Sequence, residues 1–109
     1  MPLPATPTLI RIAAGAYAAN CTLGTAVAAR VLDTSGYRWV HHALFVATAT
    51  STAAAVAVGL ARRSVAAAAL APALAPLAAI PYAGTGRHVR VALAAAPWFA
   101  AALLTSGRD

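Results

Sequence analysis

Residues Trp39–Leu60 read WVHHALFVATATSTAAAVAVGL, with Arg38 ahead of them and Arg62–Arg63 just behind. No Asp, Glu, Lys or Arg interrupts the run. As a helix it is long enough to cross the ~30 Å hydrocarbon core of a bilayer. Arginines elsewhere mark off three more charge-free windows, Ile12–Ala29, Ser64–Gly86 and Val91–Gly107. Each approaches the ~20 residues that a spanning helix needs, the last being the shortest. The expected fold is all-α: one membrane domain over 1–109, a polytopic transmembrane bundle of four antiparallel helices at 9–32, 39–61, 64–82 and 89–105. Short connections make sequential helices antiparallel neighbours, up-down-up-down.

Composition agrees with a lipid-facing exterior. The 109 residues are 61% hydrophobic and 9% charged, against about 25% charged in a soluble domain, whose surface must be solvated. Every basic residue is Arg, and Ala is abundant, a bias expected of a GC-rich genome and a bacterial inner membrane. A net charge of +6 would point to nucleic acid in a soluble protein. Here the arginines stand singly or in pairs between apolar runs, so lipid headgroups are the expected partner and nucleic acid is not. The single Cys21 excludes an intramolecular disulfide. Ala16-Tyr17-Ala18 mimics a signal-peptidase site, but the preceding apolar run is diluted with Ala, and cleavage is not expected.

Pro2, Pro4 and Pro7 predict an extended lead-in. In helix one, Gly15, Ala19, Asn20, Gly24 and Ala28 recur at about one turn, a spacing that lets helix backbones approach closely in lipid. Asn20 falls near mid-membrane and is expected to face a partner helix. Asp33-Thr34-Ser35-Gly36 favours a tight turn, with Tyr37 and Trp39 at headgroup level. Helix two carries Ala43, Ala47, Ser51, Ala55 and Gly59 as a small-residue ladder at four-residue spacing. His41, Thr48, Thr52 and Gly59 lie beside that ladder, with Val46, Val56 and Leu60 expected toward lipid or bulk packing. Helix three contains Pro72, Pro76 and Pro81, which free the carbonyls of Ala68, Pro72 and Leu77 and predict a bend. Gly84-Thr85-Gly86 is a turn. Pro97-Trp98 near the middle of helix four predicts a kink there or a Trp plugging the interior.

Two patterns concern the whole chain. Arg38-x-Val40-x-x-Ala43-Leu44 recurs as Arg87-x-Val89-x-x-Ala92-Leu93, as two duplicated hairpins would produce. Arg11, Arg62, Arg63 and Arg108 fall on one side of the membrane, and Arg30, Arg38, Arg87 and Arg90 on the other. That balance leaves the positive-inside rule without a preference and permits insertion in both orientations.

Chemistry-bearing residues are sparse. His41, His42 and His88 are expected at one membrane surface. A site for a transition metal or haem would draw on His41 and His88, because adjacent histidines on a helix cannot both point inward. The expected resting condition is no cofactor. Thr48, Ser51 and Thr52 lack a base at their depth, and the two carboxylates, Asp33 and Asp109, are far apart in sequence, so enzymatic acid–base or nucleophilic work is not expected. In size and helix count the chain is similar to small multidrug transporters. Those depend on a carboxylate inside the first helix, where this chain has Asn20 and Cys21, so their activity does not carry over. Three functional readings follow. The first is an accessory subunit that docks, on itself or in a larger membrane complex, through small-residue faces including Gly15, Gly24, Ala47, Ser51 and Gly59. The second is a small-solute transporter or channel with a polar seam of Asn20, His41, Thr48, Ser51 and Thr52. The third is a metal- or haem-binding protein using His41 and His88.

Overall fold

Pro7 lies inside the first turn of a helix rather than ahead of one. In the computed structural model, which describes residues 4–28, 38–82 and 87–106 (the side chains of 25–28, 38, 39, 41 and 88 lie outside that description), α1 runs Thr6–Ala28. The first-turn amides of a helix have no intrahelical acceptor, so a proline there loses nothing. The expected start at Leu9 is thereby corrected to Thr6, and the Leu9 amide already donates to Ala5 O at 3.1 Å. The expected extension of this helix to Leu32, the Asp33–Gly36 turn, Tyr37, Gly84–Gly86, Arg30 and Arg108 lie outside the described residues.

The quoted stretch forms α2, Arg38–Ala61. It closes with two interlocking bonds, from the Ser64 amide to Gly59 O at 2.8 Å and from the Arg63 amide to Leu60 O at 3.0 Å. This is the Schellman arrangement, which requires a left-handed residue just past the helix end. Arg63 supplies it at φ 59°, a conformation that glycine adopts far more readily. Ser64 then caps the next helix, its Oγ accepting from the Ala67 amide at 3.1 Å. Three residues reverse the chain.

The return arm is one helical path with two tightened turns. It comprises α3 (Val65–Leu70), a 3₁₀ turn at Ala71–Ala73, α4 (Leu74–Ala79) and a second 3₁₀ turn at Ile80–Tyr82. The prolines account for both turns, since a proline removes the donor its helix would need and crowds the carbonyl four residues back. The last arm is divided. Where one helix over 89–105 is expected, α5 (His88–Leu93) and α6 (Ala96–Thr105) are separated at Ala94–Ala95, just before Pro97. Trp98 is 40% exposed, so it marks the break and does not plug the interior.

Four arms thus form an all-α, four-helix fold in which α1 packs most extensively on α2, and α3 on α6. Their inward residues follow alternating steps of four and three. The series are Thr6, Ile10, Ala13 and Tyr17 on α1, and Thr48, Thr52, Ala55 and Gly59 on α2. Ala66, Leu70, Ala73, Leu77 and Ile80 continue the pattern on the third arm, and Ala95, Phe99, Ala102 and Ser106 on the fourth. This is the seam of a near-parallel bundle. The third arm keeps it through its prolines because Pro72 and Pro81 are exposed and Pro76 is half-buried, leaving the inner seam to other side chains. The two copies of the Arg-x-Val echo occupy unlike surroundings: Ala43 is exposed and Leu44 half-buried, whereas Ala92 is half-buried and Leu93 exposed.

Among the described residues, two stretches are helical, long and apolar enough to cross a membrane: His42–Ala61, of 20 residues, and Val65–Tyr82, of 18. The apolar segment Val89–Thr105 is shorter. At 23 residues α1 has the length but also carries Pro7, Arg11 and Asn20. The four expected spans therefore reduce to two candidates on length and apolarity.

At Gly59 three arms approach closely. A Cβ added there would overlap Ala67 Cβ and lie 3.1 Å from Thr6 Cγ2, whereas one added at Gly15 or Gly24 meets nothing within 4 Å. Ala in place of Gly gains about 0.5–1 kcal/mol in a helix, and forced overlap loses about 1–3 kcal/mol. Denaturant unfolding in detergent is expected to show Gly15→Ala stabilised and Gly59→Ala destabilised.

Candidate functional site

An i, i+4 ladder does not stay on one side of a helix. Four residues advance it by 400°, so each step drifts about 40°. From Ala43 to Gly59 that drift carries the ladder from the outside of the fold to its inside. Ala43 and Ala47 are exposed, Ser51 is half-buried, and Ala55 and Gly59 are buried. On the other flank Val56 is buried in the core, whereas Val46 and Leu60 are exposed. Of the small residues expected to pack helices, Gly59 does so within the chain. Ala47, Gly15 and Gly24 have no such role inside the fold, Gly15 being exposed and Gly24 half-buried over open space.

The polar seam resolves residue by residue. Thr48 and Thr52 are both fully buried. Thr48 Oγ1 donates back to Leu44 O at 2.8 Å, and Ser51 Oγ donates to Ala47 O at 2.6 Å, with Thr48 O at 3.2 Å. Those hydroxyls are satisfied by their own helix, a habit of Ser and Thr in apolar surroundings. Thr52 Oγ1 is buried with no hydrogen-bond partner. Asn20 is half-buried on α1. His41 lies in the first turns of α2 and His88 begins α5. The antiparallel order of the arms brings the two backbones to the same end of the bundle. His42, Arg87 and Arg90 are all exposed.

Tyr17 joins the arms and was not legible as a site in the sequence. Its ring stacks on Phe99 with centroids 4.3 Å apart and planes 9° from parallel. Its hydroxyl donates to Ala92 O at 2.6 Å. Ala92 stands just before the Pro97 break, where the Ala95 amide reaches its carbonyl at a stretched 3.3 Å. The phenol adds a side-chain bond to a carbonyl that the Ala94 and Ala95 amides also reach at the end of α5. Two signals pointed to it: Tyr17 falls seven residues after Ile10 on the inner seam, and a buried phenol needs an acceptor.

The opposite end gathers Arg62, Arg63, Thr6 and Ser64. The Arg62 guanidinium turns back on the chain, its Nη1 donating to Pro4 O at 2.7 Å and lying 3.4 Å from Thr6 Oγ1. Arg63 is exposed beside it. No Asp or Glu lies among the described residues, and no group of three or more metal-ligating side chains occurs among them. Comparison with protein families, curated proteins and solved structures finds no match to this chain.

Removing one partner of a buried hydrogen bond costs about 1–3 kcal/mol, whereas removing an unpaired buried hydroxyl relieves desolvation. Tyr17→Phe keeps the ring stack and is expected to lower unfolding stability by about that amount. Thr52→Val is expected to leave stability unchanged or raise it by about 1 kcal/mol, read from the same denaturation curves.

Proposed function

We propose that this chain is a multi-pass integral membrane protein, with all four arms crossing the bilayer of a bacterial inner membrane, and that it acts as an interaction subunit of a membrane assembly rather than as an enzyme. One observation carries the membrane reading. The outward side chains between the arginine-bearing ends are mostly apolar, with Ile12, Val46, Val65, Val89, Leu93 and Leu104 each at least 45% exposed. In water such a surface would associate without specificity. In lipid it is matched to its solvent. The exposed Arg11 lies little more than a turn into α1, within reach of the interface for a long side chain.

The subunit reading rests on α2. Its outward residues Ala43, Ala47, Thr50, Ala54, Ala57 and Ala61 are all exposed and recur in steps of four and three. A row of small residues in that register accepts another helix at close range, which is how helices associate where lipid removes the hydrophobic drive. The transporter alternative has narrower support. With Thr48 and Ser51 bonded to their own helix, it rests on the Thr52 hydroxyl and the half-buried Asn20.

Carbonate-washed membranes are expected to retain the chain; recovery as a monodisperse helical protein in a surfactant-free supernatant would overturn the membrane reading. Ala47→Leu with Ala54→Leu leaves the interior untouched. The double variant is expected to lose the oligomer, or the larger complex, recovered from mild detergent, with its own unfolding unchanged. Solute flux in proteoliposomes that vanishes in Thr52→Val would instead establish the transporter alternative.

A further inference from the structure

Arg62 and Arg63 are neighbours with opposite fates. Arg62 is spent on the chain, holding Pro4 O and Thr6. Arg63 is exposed, and it occupies a left-handed position at φ 59° where its side chain brings strain and glycine would bring none. The Schellman reversal holds the backbone there, and residues so held cluster at ligand clamps and active sites. Nothing within the described fold calls for that guanidinium, because no carboxylate lies among the described residues. Its surroundings indicate what does. Leu60 and Val65, two or three residues to either side, are 49% and 64% exposed. The apolar exterior thus runs up to the turn from both helices and stops there. A cation at that boundary stands at the level of lipid phosphates.

We propose that Arg63 holds the phosphate of an anionic phospholipid headgroup, with Arg62 keeping the turn in place beneath it. The assignment depends on the membrane reading above and adds a specific lipid contact to it. A hydrocarbon border on both flanks favours a phosphate carried by a lipid over one free in water. Guanidinium also suits the role chemically, since its planar fork donates two parallel hydrogen bonds to phosphate oxygens.

The test uses the full chain reconstituted in phosphatidylcholine vesicles, with and without phosphatidylglycerol, and reads the relative binding of the two lipids. One arginine near an anionic surface corresponds to about a fivefold preference for phosphatidylglycerol. The wild-type chain is expected to show that preference. Arg63→Gly is expected to lower it about fivefold, the other exposed arginines keeping their share, while unfolding no more readily than wild type in detergent, because glycine relieves the left-handed residue; loss of lipid preference then cannot be blamed on misfolding. A preference left unchanged by Arg63→Gly overturns the proposal. Displacement of phosphatidylglycerol by inorganic phosphate at matched ionic strength also overturns it, in favour of a site for free anions. A chain that inserts into both vesicles without discriminating loses the headgroup assignment alone, whereas one that fails to sediment with either loses the membrane reading as well.

Discussion

The corner at Gly59 is the constraint on which the rest of the bundle depends. Three arms meet there: the start of α1 at Thr6, the last turn of α2 and the first turn of α3 at Ala67. The absent side chain at 59 lets the second and third arms touch, and the Gly59 carbonyl receives the Ser64 amide that ends the helix. Ser64 goes on to cap the following helix. A single reversal therefore occupies the carbonyls of Val58, Gly59 and Leu60 at one helix end and the Ala67 amide at the next helix start. That matters most in an apolar medium, where an unsatisfied backbone group has no other recourse.

At the other weak point the fold uses a side chain. Pro97 deprives the fourth arm of an amide, and the arm separates at Ala94–Ala95. Tyr17 crosses from α1 to the Ala92 carbonyl and lays its ring on Phe99. The third arm needs no such bridge, because its prolines stay clear of the inner seam and 3₁₀ turns absorb them.

The seams themselves are built from small groups. Ala, Gly and Thr dominate the inward positions, with Ile10, Tyr17, Leu70, Leu77, Ile80 and Phe99 as the bulky exceptions. Large apolar side chains also populate the outside, Val65 and Leu104 the most exposed of the aliphatic ones. The two ends carry the arginines, and at one of them Arg62 works inward while Arg63 faces out. The exterior and the ends thus have different chemistry although both are exposed.

Composition and charge spacing alone determined the helical arms, their order and their approximate limits. They also located the places of interruption, because a proline removes the same hydrogen bond in any surroundings. Which residues face inward was decided only by packing. A ladder such as Ala43–Gly59 looks like one face on paper, but the drift of an α-helix past four-residue steps turns its first members outward and its last inward. Pro7 was misjudged because the tolerance of a helix for proline depends on which turn it occupies. The bond from Tyr17 to Ala92 spans 75 positions of sequence. No local pattern encodes a partner so distant, since it exists only once the first and fourth arms are side by side.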